Sequence, residues 1–186
     1  EVAQKVHSLE IGALLKEIVA IANKVTNADS CLVYVIDRKK QELVLRASKN
    51  PHPDLMQKIK MKLGEGITGW VAKEMKPVAI ESGAHKDARF KFFRSLPEDR
   101  FEAFLSVPIL DKHGVSGVIN VQYQKAHKHK EMEINLLTAI GKMIGGAVEN
   151  ALLIEETLFL KESLELRKII DRARGILMKK KMMNDE

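Results

Sequence analysis

Several groups of residues in this 186-residue chain have the types and spacing that chemistry needs. Gly64-Glu65-Gly66-Ile67-Thr68-Gly69 fits the G-x-G-x-x-G spacing, in which a tight turn lays a dinucleotide phosphate on a helix N-terminus. That use needs a parallel βαβ unit with a buried first strand. Here the preceding Ile59-Lys60-Met61-Lys62-Leu63 alternates apolar and charged, as a half-exposed strand does. The glycines therefore read as a tight turn that opens a helix. No Lys and Ser/Thr follow as they would in a phosphate-binding P-loop. A second group, His85, Asp87, Arg89, Phe90, Lys91, Phe92, Phe93 and Arg94, is the densest polar-aromatic cluster. Its guanidinium groups suit a carboxylate or phosphate, and its rings suit a pocket wall. The alternative is a solvated loop with its phenylalanines tucked onto a sheet edge. Trp70, His85, Arg89, Phe90, Phe93 and Phe101 are the ligand-binding candidates. Trp70 faces either that pocket or the core.

His127-Lys128-His129-Lys130 places two histidines two residues apart. Histidine tracts bind metals, but this one has no carboxylate in pattern. It reads as a solvated strand–helix junction, and no metal site is expected. Cys31 is the single cysteine. It cannot form an internal disulfide or a multi-cysteine zinc site, and a reducing cytoplasm suits it. A catalytic thiol needs an exposed, electropositive setting beside a histidine. Cys31 opens an apolar strand, where a small buried hydrophobe is the default. With no nucleophile–base pair and no paired carboxylates, a non-enzymatic protein is expected.

Charge is concentrated at one end. Arg167, Lys168, Arg172, Arg174, Lys179, Lys180 and Lys181 stand against Asp171 alone, a net +6 that equals the charge of the whole chain. The rest is close to neutral, so the basic excess belongs to a C-terminal segment. Such a segment is either a solvated helix face or a surface that neutralises nucleic-acid phosphates. Arg167, Lys168, Arg172, Arg174, Lys179 and Lys180 are the RNA-binding candidates.

The elements that must position these groups can be read from periodicity. Ile11, Leu14, Ile18, Ile21 and Val25 step by 3 and 4 along a helix over 1–28, and Leu15 and Ala22 widen that face. Cys31–Ile36 and Glu42–Ser48 are strands about a polar turn. A helix from about Ile67 to Met75 follows the glycine turn, and Pro77 opens a short strand to Ile80. Ala103–Leu110 and Val115–Gln124 form a second hairpin about Asp111-Lys112-His113-Gly114. Residues 81–102 are too long for a plain connector. They read as a lid or pocket wall, with a helical turn near Phe90. From about Lys130 to Lys181 no proline interrupts a helical pattern. Leu137, Ile140, Ile144, Ala147, Ala151, Ile154 and Leu158 step by 3 and 4, the 3.5-residue seam of a coiled coil or of two packed helices. The longest uninterrupted apolar run, Cys31–Ile36, falls far short of the roughly 20 residues of a membrane span. The N-terminus lacks a signal-peptide layout.

Leu63-Gly64-Glu65-Gly66-Ile67-Thr68-Gly69-Trp70-Val71-Ala72 resembles the turn that opens the central helix of GAF domains. Pro77-Val78, then Ser106-Val107-Pro108-Ile109-Leu110, then Gly114-Val115-Ser116-Gly117-Val118-Ile119-Asn120-Val121 resemble the later GAF strands. The resemblance covers roughly residues 10–152. It implies a central antiparallel sheet, helices on one face and a small-molecule pocket on the other. Features of specialised relatives are missing. Methionine sulfoxide reductases of this family use several cysteines, and bilin-binding domains carry a cysteine in the segment matching 81–102. The cyclic-nucleotide signature is not visible, and haem would have only His85 for a ligand. The cofactor is thus unknown, with neither a covalent chromophore nor a metal expected. Leu166-Arg167-Lys168-Ile169-Ile170-Asp171-Arg172-Ala173-Arg174-Gly175-Ile176-Leu177-Met178 is similar to the opening of ANTAR domains, helical modules that bind RNA hairpins and relieve transcription termination. Only about 20 residues of that pattern are present, as in a truncated chain.

Together these readings predict an α+β, GAF/PAS-like antiparallel sheet with helices on one face and long terminal helices. The expected divisions are 1–28, an N-terminal helix at a dimer interface; 29–128, the sensing core; 129–166, a signalling helix; and 167–186, the start of an ANTAR-like output. The expected partners are a second copy, a small ligand and RNA, with no membrane. A GAF domain that serves only as a dimerisation scaffold is the alternative.

Overall fold

The computed structural model describes residues 2–50, 53–93 and 96–184. The chain opens with helix α1 (Val2–Thr26). Its buried stripe is Ile11, Leu15, Ile18 and Ala22, with Val19 beside it. Ile21, expected on that face, is 40% exposed. The sheet and α3 cover the 11-15-18-22 row, while Leu14 and Val25 beside it are half-buried. Asn27, in the left-handed region at φ 49°, ends the helix with its N–H on the Asn23 carbonyl at 2.7 Å.

Six strands follow: β1 (Ser30–Asp37), β2 (Glu42–Ser48), β3 (Lys60–Lys62), β4 (Val78–Ile80), β5 (Ala103–Asp111) and β6 (Gly114–Tyr123). They form one sheet in the order β3-β2-β1-β6-β5-β4, with every neighbouring pair antiparallel. Helix α2 (Gly66–Glu74) lies between β3 and β4, and helix α3 (Glu131–Asn184) follows β6.

Strand alternation divides the interior into two cores. Cys31, Val33, Val35, Leu105, Val107, Ile119 and Val121 point to α1 and α3. Leu32, Tyr34, Phe104 and Val118 point the other way, to α2 and the segment after β4. The glycine turn is structural. Gly64 and Gly66 take φ 84° and 68°. A Cβ on Gly69 would collide with the Lys62 carbonyl, so α2 sits directly on β3. Among its described residues the segment 81–102 holds two short 3-10 helices, Ala84–Lys86 and Pro97–Arg100, and near Phe90 a single turn, in which the Phe90 N–H donates to the Asp87 carbonyl at 2.9 Å.

Helix α3 has 54 residues, about 80 Å at 1.5 Å per residue. It meets β5 through Gly141 and Gly145, whose added Cβ atoms would strike the Pro108 and Leu110 carbonyls. Leu137 and Val148 are fully buried on the same face. The heptad seam read from the sequence only partly coincides with this face. Leu137 is buried, Ile140, Ile144, Ala151 and Leu158 are half-buried, and Ala147 and Ile154 are exposed. Beyond Leu158, every side chain described up to Met178 is exposed except the half-buried Glu162. By length and composition α3 could also cross a bilayer. Its first half is instead laid on β5 and α1.

Candidate functional site

The face of the sheet opposite α1 and α3 carries a small, partly open recess. The middle of the sheet forms its floor through Leu32, Tyr34, Phe104, Asn120 and Gln122. The first turn of α2 supplies Gly66, Ile67 and Thr68, and the irregular segment over the top supplies Phe90, Lys91 and Phe93. The cavity holds about 20 Å³, room for little more than one water.

A buried polar row crosses this floor. The Ser106 hydroxyl donates to Asn120 Oδ1 at 2.7 Å, and Asn120 Nδ2 donates to Thr68 Oγ1 at 2.8 Å. Gln122 Nε2 donates to the Glu98 carbonyl at 3.1 Å, while its buried Oε1 has no hydrogen-bond partner among the described residues. Glu98 is itself buried and accepts from Asn50 Nδ2 at 3.0 Å and from Ser30 Oγ at 3.4 Å. These bonds hold the Pro97–Arg100 turn down on the sheet. Buried polar groups cost free energy unless paired, so the Gln122 oxygen is a place where a donor would be accepted.

The lid is pinned at its rim by charge. Asp87 accepts from Arg89 Nε at 2.9 Å and Nη2 at 2.8 Å, a forked pair. The bonds from Arg89 hold the Asp87 carboxyl below the usual carboxylate range, against burial. Arg89 lies 4.9 Å over the Trp70 ring, a cation–π contact. Lys91 pairs with Glu65 at 2.6 Å and lies 4.9 Å over Phe93. The hydrogen bond from Lys91, joined by the Lys62 N–H, lowers the Glu65 carboxyl. The segment is thus strapped to the first turn of α2.

The predicted ligand residues separate here. Phe90 and Phe93 line the cavity. Trp70 and Arg89 stack on each other and do not line it. His85 is exposed in the first 3-10 turn, and Phe101 is half-buried; neither lines the cavity. Arg94 lies outside the described residues. Sequence reasoning missed Tyr34, Thr68, Asn120 and Gln122. The signal for the last two was present: polar residues at period two in a strand whose alternate residues, Ile119 and Val121, are apolar.

Cys31 faces the other core and is fully buried. Burial pushes its thiol up to about 12, so it carries no thiolate at neutral pH. The expectation that His127 and His129 lack a carboxylate in pattern is corrected. Glu133, in the first turn of α3, lies 3.2 Å from His127 Nε2 and 3.8 Å from His129 Nδ1. Of the basic candidates, Arg167, Lys168, Arg172 and Arg174 are exposed along α3. The side chains of Lys179 and Lys180 lie outside the description.

A wider groove, about 590 Å³, lies at the opposite side between the β1–β2 hairpin and α3. Leu152, Leu153 and Phe159 line it with the Arg46–Glu155 ion pair at 3.2 Å.

A family model described as GAF domain matches residues 8–149. The phosphoenolpyruvate-dependent phosphotransferase system protein of Escherichia coli K12 is 26% identical over 125 residues, 67% of this chain and 17% of that protein. The chain thus spans about a sixth of that curated relative. The GAF domain of a phosphoenolpyruvate-protein phosphotransferase from Coxiella burnetii superposes with a TM-score of 0.70 at 22% identity, over 81% of this chain and 92% of that one. A free methionine-R-sulfoxide reductase from Neisseria meningitidis, solved with its substrate, superposes at 0.62 and 17% identity, over 81% and 86%. The antiparallel six-stranded sheet, the glycine turn into α2 and the family match over most of its length make this chain a member of the GAF domain family.

Proposed function

We propose that this chain is the sensing part of a cytosolic signalling regulator, non-catalytic in itself. A small ligand enters beneath the Phe90–Phe93 segment, and α3 carries the resulting state to an output. One observation carries this reading. A single uninterrupted helix is built into the sheet's core at Gly141 and Gly145 and then leaves the domain with its apolar side chains exposed. A ligand shifts such a module only through unequal affinity for two packings. The unpaired Gln122 oxygen and the aromatic walls favour a small apolar body with one hydrogen-bond donor. The exposed residues Leu153, Ile154, Phe159 and Leu160 favour a second copy of the chain packed along α3. The basic segment 167–181, with its ANTAR-like wording, favours RNA as the output.

The test is binding of the full-length protein to structured RNA hairpins at stepped salt. The reading expects affinity to fall steeply as salt rises. Absent or salt-insensitive binding removes the RNA output. The size of the cavity favours a second reading, a GAF scaffold that binds no ligand. Native mass spectrometry separates the two. A retained small molecule lost in Gln122→Leu supports sensing. A bare mass, with no thermal shift across a metabolite panel, supports the scaffold.

A further inference from the structure

The junction between β6 and α3 holds a cluster that neither the cavity nor the helix seam uses. The Tyr123 and His127 rings stack at 3.8 Å between centroids and 5° between planes. His127 Nε2 lies 3.2 Å from Glu133 Oε2, and His129 Nδ1 lies 3.8 Å from Glu133 Oε1. One ligand atom from each of His127, His129 and Glu133 falls within 4.8 Å of the others. The Tyr123 hydroxyl, 2.6 Å from Glu133 Oε1, fixes the carboxylate.

His129 is the informative member. Its side chain is 1% exposed. Its Nε2 lies 3.1 Å from the Ile80 carbonyl, which only accepts. The Nε2 therefore bears the proton, and in the neutral ring Nδ1 is a bare lone pair. That lone pair has no hydrogen-bond partner among the described residues and faces a carboxylate oxygen, itself an acceptor. At 3.8 Å the two are too far apart to share a proton. Two acceptors facing each other in a buried space call for a cation between them. A histidine whose second nitrogen donates to a backbone carbonyl is also the outer-shell arrangement that orients metal ligands.

We propose that His127 Nε2, His129 Nδ1 and a Glu133 carboxylate oxygen bind a divalent transition-metal ion of the zinc class. Water completes the coordination on the side opened by the one-third-exposed His127 side chain. Nitrogen and carboxylate ligands at about 2.0–2.1 Å from a tetrahedral ion lie about 3.3–3.4 Å from one another. The 3.2 Å between His127 Nε2 and Glu133 Oε2 is already near that value; His129 Nδ1, 3.8 Å from the other oxygen, Oε1, must draw in for all three to meet one ion. The ion would tie the end of β6 to the first turn of α3, with Ile80 of β4 as the brace. Occupancy would then fix the direction in which α3 leaves the sheet. This site shares no residue with the pocket and stands without the ligand reading.

The probe is Co²⁺, titrated into metal-free protein and followed by its visible absorption, with Zn²⁺ as competitor. One saturable equivalent, displaced by Zn²⁺, is expected. His127→Ala and Glu133→Gln, with unchanged circular dichroism, weaken binding by at least ~10-fold; His113→Ala leaves it unchanged. Zn²⁺ also raises the Tm of the wild type and not of His127→Ala. No saturable band, or equal affinity in His127→Ala and Glu133→Gln, overturns the site. Should Glu133→Gln fail to fold, His127→Ala and the Tm comparison decide alone.

Discussion

Burial raises the Cys31 thiol to about 12, and nearby Lys49 lowers it by less. Native protein at pH 8 should leave Ellman's reagent unreacted until the chain unfolds. Complete labelling on mixing with folded protein contradicts the buried placement. Asp87 makes the opposite kind of statement. The hydrogen bonds from Arg89 hold its carboxyl below the ordinary range. Its stabilising contribution is therefore present above the unfolded value and lost as pH falls toward the folded one. Trp70 is the only tryptophan and lies under Arg89. Its fluorescence should change below about pH 4, and Asp87→Asn should abolish that transition. A midpoint above the ordinary carboxylate range contradicts the pairing. At this scale the sequence was legible where a residue's type decides its place, as for Cys31 and the glycine turn. It was illegible where partners come from afar. Glu98 meets Asn50 and Ser30 across 48 and 68 residues, and no spacing rule reaches that distance.

The helices were located by periodicity, but their faces were not fixed by it. Apolar spacing placed Ile21 in the core, yet 11-15-18-22 is the row the sheet covers. In α3 the small residues Ala147 and Ala151, with Gly141, Gly145 and Gly146 nearby, read as a place for a partner helix to come close; at Gly141 and Gly145 it is the β5 carbonyls that do so. An absent Cβ marks close approach, but spacing along one helix does not say which element approaches. A paired substitution checks this. Gly145→Ala, whose methyl would meet Leu110, should destabilise by about 1–3 kcal/mol in urea denaturation. Gly146→Ala, with nothing within 4 Å, should be neutral or gain up to about 1 kcal/mol from helix propensity. Equal effects would mean that α3 does not lie on β5 as described. The proposed dimer belongs to this scale too. Sedimentation equilibrium should show a dimer that Phe159→Glu, at a half-exposed position beside the groove, converts to monomer. A wild-type monomer at high concentration removes the second copy.

At the scale of the molecule, one sheet separates two cores. Residues of β1, β5 and β6 alternate between the pocket and the helices. Asn120 and Gln122 face the cavity, while Ile119 and Val121 face the α1–α3 side. Any shift of β6 needed to admit a ligand is therefore felt on both faces, because packed interiors transmit small displacements. The fold class and the two hairpins were legible because alternation and turn residues agree along the chain; the strand order β3-β2-β1-β6-β5-β4 was not. The closure of the pocket was not, since it depends on the Glu65–Lys91 pair and the Arg89–Trp70 contact strapping the lid.

The coupling of lid to helix is the claim on which the account rests, and hydrogen exchange of the Phe90→Ala variant tests it without a known ligand. Truncating Phe90 enlarges the cavity while leaving α3 chemically untouched. The account predicts altered amide protection in 137–152 of α3 as well as in 60–104. A change confined to the pocket face, with α3 exchanging as in the wild type, would contradict it.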